Sequence, residues 1–118
     1  MKKLLLFIVS LTIILTSNAS VSNMIVEHYT VKHGLPNNAV SCTLKDKDGF
    51  VWLGTWYGLC RFDGQKFYTY NKQQTSTDEL PPRKIQHILE DKKQNLWVKT
   101  IDHKLYVFNK KTEQFHAI

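Results

Sequence analysis

Asp46 and Asp48, followed by Gly49, are the first residues whose types and spacing could do chemistry. An Asp-x-Asp-Gly run can open a calcium loop. Calcium takes about 6–8 oxygen ligands, and no further acidic residue follows Gly49 at loop spacing. The same residues are turn formers, since Asx side chains bond the local backbone and Gly takes positive φ. The turn reading is preferred. Paired catalytic carboxylates are equally hard to assemble. Asp63, Asp78, Glu79, Glu90, Asp102 and Glu113 fall in turns or at strand ends without an arguable pairing, whereas glycoside hydrolysis needs an acid and a base at a set separation. His28, His33, His87, His103 and His116 show neither H-x-x-x-H nor H-x-H spacing, which leaves a metal site unsupported. Ser41 and Ser76 lack a G-x-S-x-G context. No cofactor and no metal is expected, and the chain reads as a non-enzyme.

Trp56, Tyr57 and Arg61 are the candidate ligand-binding residues. Exposed aromatic rings stack on the apolar faces of sugars, and an Arg bonds hydroxyls. Trp56 and Tyr57 stand in a turn. The alternative is that these residues pack against a neighbouring structural unit. Trp52 and Trp97 are expected as large core residues packing between units.

The elements that position these residues recur. DKDGFVWLGT, Asp46 to Thr55, returns 45 residues later as DKKQNLWVKT, Asp91 to Thr100. Asp46 maps to Asp91, Trp52 to Trp97 and Thr55 to Thr100, while Ile101 and Asp102 stand where the first copy has Trp56 and Tyr57. Leu35-Pro36 maps to Leu80-Pro81, Val40 to Ile85 and Leu44 to Leu89 at the same offset. Leu59 and Phe62 map to Leu105 and Phe108 at offset 46, and Phe67 to Phe115 at offset 48. Insertions confined to turns are what a repeat architecture predicts.

Each copy reads as four short strands. The first set is Ala39–Lys45, Phe50–Gly54, Leu59–Phe62 and Lys66–Tyr70. The second is Lys84–Glu90, Asn95–Lys99, Lys104–Phe108 and Gln114–Ile118. Gly54 marks a bulge or close backbone approach, Gly58 a further turn, and Asp63-Gly64 a hairpin. Ile25–Thr30 is an orphan strand matching the last strand of a unit, with Tyr29 aligned to Tyr70. A period near 45 residues with four strands per unit is the signature of β-propeller blades. The expected fold is all-β, a partial propeller of two blades and one spare strand. The expected division is 1–19 signal peptide, 20–38 orphan strand and leading turn, 39–70 first blade, 71–83 connecting loop, and 84–118 second blade. A propeller closes with about four blades or more. The chain is therefore expected to be the first piece of a longer protein, or to complete its core by self-association.

The leader carries an export pattern. Lys2 and Lys3 precede an apolar run from Leu4 to Leu15, broken only by Ser10 and Thr12. Ser17-Asn18-Ala19 supplies small residues for cleavage. The run falls short of the roughly 20 residues a spanning helix needs. The alternative of a retained anchor stays open. Of 16 Lys and Arg, two lie in this leader, so the mature chain carries 14 against 10 Asp and Glu. Lys72, Arg83, Lys84, Lys92, Lys93, Lys110 and Lys111 fall mainly in turns and are expected as a solvated rim. No nucleic-acid surface is indicated without a basic helix or a basic, aromatic-lined sheet. Cys42 and Cys60 survive processing. An exported compartment permits a bridge, but both lie in strands and read as small core residues.

At LKDKDGFVWLGTWYGLCRFDGQKFYTY, Leu44 to Tyr70, the chain resembles the two-component regulator propeller repeat. The motif elements are Leu35-Pro36, Val40, Asp46, Asp48-Gly49, Trp52, Gly54-Thr55, Gly58-Leu59, Phe62 and Asp63-Gly64. The second unit keeps Leu80-Pro81, Ile85, Ile88, Asp91, Leu96-Trp97 and Thr100. It departs at Gln94, Lys99, His103 and Asn109, which bears on its turn geometry. HYTVKHGLPNNAV, His28 to Val40, resembles the segment opening the sensor region of hybrid two-component sensors, mostly of gut Bacteroidetes. The resemblance implies periplasmic propellers that detect oligosaccharides, followed in the whole protein by a β-sandwich, a membrane helix, a histidine kinase, a receiver and a DNA-binding domain. It implies membrane contact only through downstream parts, and no signalling by these blades alone. The stretch is also similar to the Asp-box hairpin of sialidase-type propellers. A glycan-active enzyme fragment and a protein-interaction scaffold remain the alternatives.

Overall fold

The computed structural model describes residues 24–70 and 80–118. The expected signal peptide at 1–19 and the polar stretch 71–78 lie outside the described residues. Among the described residues eight strands form: β1 (Val40–Lys45), β2 (Val51–Thr55), β3 (Gly58–Phe62), β4 (Phe67–Tyr70), β5 (Ile85–Glu90), β6 (Leu96–Thr100), β7 (Leu105–Asn109) and β8 (Gln114–Ala117). They make two antiparallel sheets in simple sequence order, β1-β2-β3-β4 and β5-β6-β7-β8. Each strand falls within a residue or so of its expected place. Tight turns join each strand to the next within a sheet, so neighbours in sequence become neighbours in the ladder.

Register decides which side chains meet. Leu44 stands opposite Trp52, Trp52 opposite Arg61, and Arg61 opposite Tyr68. Gly54 stands opposite Leu59, and Leu59 opposite Tyr70. Paired residues share a face, so this face of the first sheet carries Leu44, Trp52, Leu59 and Tyr70. It packs on Ile85, Ile88, Leu96, Val98, Phe108 and Phe115 of the second sheet. The Trp52 ring lies 5.5 Å from both Tyr70 and Phe108. Gly54 lets β5 approach: a Cβ there would stand 2.6 Å from Ile85 Cγ2 and 2.5 Å from Cys42 Sγ. Both copies carry a bulge at the start of the first strand, after Val40 and after Ile85. In the first, Ser41 Oγ donates to the Gly54 carbonyl and, across the sheets, to the Ile85 carbonyl.

Trp97 has no second sheet against it among the described residues. It shares a face with Leu89 and Val107, opposite to the face that meets the first sheet. It is half-buried, and Leu89 beside it is 68% exposed. Of these two tryptophans, Trp52 is the one that packs between the two described sheets.

Ile25–Thr30 forms no strand. It pairs with neither sheet. Instead Thr30 caps a short 3-10 turn, Val31–His33, closed by Gly34 at φ 106°. Tyr29 nevertheless sits 5.0 Å from the Phe62 ring, as Tyr70 sits 4.8 Å from the equivalent Phe108. The leading segment thus stands toward the first sheet as β4 stands toward the second.

Candidate functional site

Asp46 organises the β1–β2 turn. Its Oδ1 accepts the amide N–H groups of Asp48 and Phe50, both at 3.0 Å. Its Oδ2 accepts the indole N–H of Trp52 at 2.7 Å. Asp91 repeats the arrangement with Lys93 at 2.8 Å, Asn95 at 2.9 Å and Trp97 Nε1 at 2.9 Å. Asp and Trp recur together because one carboxylate closes the turn and fixes the indole.

The departures in the second unit leave these turns intact. Gln94 replaces Gly49 and adopts φ 64°, and His103 also stands at φ 64° in the β6–β7 turn, which matches the Gly58 turn of the first unit. Asp63 Oδ1 accepts the amides of Gln65 and Lys66 at 2.8 and 2.7 Å. Asn109 Oδ1 takes the same role toward Lys111 and Thr112 at 2.9 and 3.2 Å. Thr55 and Thr100 are both buried at the opposite end, where Thr55 Oγ1 donates to the Gly58 carbonyl at 2.9 Å and Thr100 Oγ1 to the Lys104 carbonyl at 3.3 Å.

A charged clamp joins the sheets at the Asp46 end. Lys110 Nζ lies 2.7 Å from Glu90 Oε2 and 3.2 Å from Asp46 Oδ2. Glu90 Oε1 accepts the Lys47 amide at 3.1 Å. The Asp46 side chain is fully buried and that of Lys110 is 13% exposed. Burial pushes the Asp46 carboxyl up, but the Trp52 indole, the Lys110 ammonium and the Phe50 amide outweigh it, and the group titrates below its ordinary value. Burial likewise pulls Lys110 down, and its bonds to Glu90 and Asp46 outweigh that, raising it. Lys110 is therefore not a solvated rim residue, because two carboxylates hold it. Sequence reasoning missed it and Glu90. The available signal was the charge exchange at one repeat position, Lys45 in the first copy and Glu90 in the second.

The three candidate ligand residues are not brought together. Trp56 and Tyr57 form the β2–β3 turn and are 49% and 61% exposed. The Lys84 ammonium lies 5.3 Å from the Trp56 ring, and the Trp56 carbonyl accepts the Lys84 amide at 2.9 Å. Arg61 stands three residue pairs further along, opposite Trp52, about 10 Å from that turn at strand rise. Its guanidinium lies 4.7 Å from the Phe50 ring and 4.8 Å from the Tyr68 ring. It borders a cleft of about 380 Å³ between the sheets, walled opposite by the Lys93–Asn95 and Asn109–Lys111 turns. A second cleft of about 370 Å³ lies near the other end, along Arg83, Lys84 and Asp102.

The expected cysteine roles match their settings. Both are free thiols; Cys60 is buried and Cys42 packs at the edge of the core. Burial pushes the Cys60 thiol up to about 11.

Two four-stranded antiparallel sheets, each connected in sequence order and stacked face to face, are adjacent blades of a β-propeller. The two-component regulator propeller family matches residues 34–57. The chain is 32% identical over 88 residues to the histidine kinase P4 of Formosa agariphila, a match covering 69% of this chain and 6% of that protein. It superposes on the extracellular domain of the hybrid two component system BT3049 from B. thetaiotaomicron with a TM-score of 0.65 and 31% identity. That match covers 77% of this chain and 13% of the other. The chain carries a two-component regulator propeller repeat at residues 34–57, and its two sheets are similar to blades of that extracellular domain. It spans a small part of either relative. Among the described residues, no helix is long and apolar enough to cross a membrane.

Proposed function

We propose that this chain supplies the opening blades of an exported, ligand-sensing propeller in a hybrid two-component sensor. The observation that carries the reading is the seating of one blade on the next around Trp52, in a chain that superposes on such an extracellular domain. A sensor of this kind transmits ligand binding to a kinase carried elsewhere in the protein. The blades themselves supply shape and contacts, not catalysis.

The ligand class we assign is oligosaccharide, received in part on the β2–β3 turn. Trp56 and Tyr57 support this by exposing two aromatic residues in one turn, and aromatic faces of this kind take sugar rings. The open face of the second blade, where Leu89 lies 68% exposed, is where a further blade docks, from a longer chain or a second copy.

The test is a thermal-shift screen of the full chain against a panel of neutral and acidic oligosaccharides. The reading expects at least one glycan to raise the melting temperature, and Trp56→Ala with Tyr57→Ala to remove the rise. A panel without any stabilising member, or a rise unchanged in the double variant, would overturn the assignment of this turn.

A further inference from the structure

The Arg61 guanidinium is held but not used. It is flanked by Phe50 and Tyr68, with ring centroids 4.7 and 4.8 Å away, and Trp52 lies 6.0 Å off. Its Nε is buried with no hydrogen-bond partner. Among the described residues, no carboxylate stands within ion-pair distance of it. A buried, unmet donor on a charged group is costly, and a guanidinium fixed between rings has lost most of its freedom to find an acceptor elsewhere.

The space beside it is polar and basic. The inter-blade cleft of about 380 Å³ sets Arg61 across from Lys93, Asn95, Asn109 and Lys111. Asp46 and Asp48 also border it. Lys110 lies between them at the same cleft, 3.2 Å from Asp46 and 3.8 Å from Asp48, and so offsets part of their charge. Arg61, Lys93 and Lys111 remain as cations that no described carboxylate pairs. Val107 replaces Arg61 at the equivalent position of the second blade, so the feature belongs to this cleft and not to the repeat.

We propose that this cleft is an oxyanion site, in which Arg61 receives the carboxylate or sulfate group of a small molecule. A planar guanidinium fork matches a carboxylate or sulfate through paired N–H donors. The stacked rings pre-orient the fork, which lowers the ordering cost of binding. Lys93 and Lys111 add attraction from the opposite wall, and the amides of Asn95 and Asn109 can bond neighbouring hydroxyls. The site is separate from the Trp56–Tyr57 turn and does not depend on a glycan binding there.

The experiment follows the Arg61 Nε–H resonance of the full chain, labelled with ¹⁵N, at constant ionic strength. Sodium sulfate, glucuronate and glucose are added in separate titrations. The site predicts a saturable shift with sulfate or glucuronate and none with glucose; whichever anion saturates at lower concentration distinguishes a sulfate ester from a carboxylate. Arg61→Lys, followed through the backbone amides of Asn95 and Asn109 in the same titrations, should weaken binding by about tenfold or more, because a point charge cannot form the fork. The exposed pair Lys93→Ala and Lys111→Ala, which leaves the core untouched, should weaken it by severalfold. A linear drift with every salt, an equal response to glucose, or affinity unchanged in both variants would overturn the proposal.

Discussion

The indole N–H of Trp52 donates to Asp46 Oδ2 at 2.7 Å, and that same oxygen receives the Lys110 ammonium at 3.2 Å from the other blade. One carboxylate therefore ties together a turn, the central core residue and the neighbouring sheet. Asp46 titrates below its ordinary value of 3.8. A depressed carboxylate contributes stability that is present above its unfolded pKa and lost as pH falls through the folded one. Urea melts should hold steady from neutrality to the mid-4s, near the unfolded carboxylate range of about 4, and weaken below it. Asp46→Asn should lower stability at neutral pH and flatten the acid limb. An unchanged acid limb in the variant would assign the loss to other carboxylates.

Lys110 reports the clamp from the other side. Removing it leaves Asp46 and Glu90 facing one another, with side chains 0% and 9% exposed. Lys110→Ala should cost about 2–3 kcal/mol in chemical denaturation, between the values for exposed and fully buried pairs. Lys92→Ala, one residue from the Asp91 carboxylate but in no ion pair among the described residues, should change little.

Gln94 and His103 hold φ 64° where a side chain is disfavoured. The left-handed conformation costs about 1–2 kcal/mol for a residue with a Cβ, part of which glycine returns through its freer unfolded chain. Gln94→Gly and His103→Gly should each raise stability by about 0.5–1 kcal/mol, read as a higher melting temperature. Gly49→Ala, at φ 90°, should move it the opposite way.

Gly54 sets how closely the blades approach. A methyl group there meets Ile85 at 2.6 Å and Cys42 at 2.5 Å. Gly54→Ala should cost about 1–3 kcal/mol, the usual penalty of overpacking. It should also speed labelling of Cys42, which sits at the opening seam, more than that of the buried Cys60.

The repeat made the fold legible before any coordinates. Asp46 with Trp52 and Asp91 with Trp97 fix the turn and the strand after it, and those strands stand where they were expected. Local chemistry was readable because it acts within six residues of chain. What required the structure was long-range. Lys110 looked like any turn lysine, and nothing near it in sequence reveals Asp46, 64 residues away. Trp52 and Trp97 have the same sequence context, yet among the described residues Trp52 alone has a blade against it. Ile25–Thr30 resembles a strand because its pattern matches the last strand of a repeat, but it pairs with neither described sheet. Trp56, Tyr57 and Arg61 are near in sequence, and strand geometry sends Arg61 to the other end of the blade.

The central claim is that the two sheets stack as propeller blades around Trp52. Nuclear Overhauser contacts in the full chain test it most directly. The account predicts cross-peaks from the Trp52 indole to the ring protons of both Tyr70 and Phe108, whose centroids lie 5.5 Å away, together with cross-strand contacts within each sheet. Cross-strand contacts without any Trp52–Phe108 cross-peak would mean that the sheets form but do not stack, and would contradict the account.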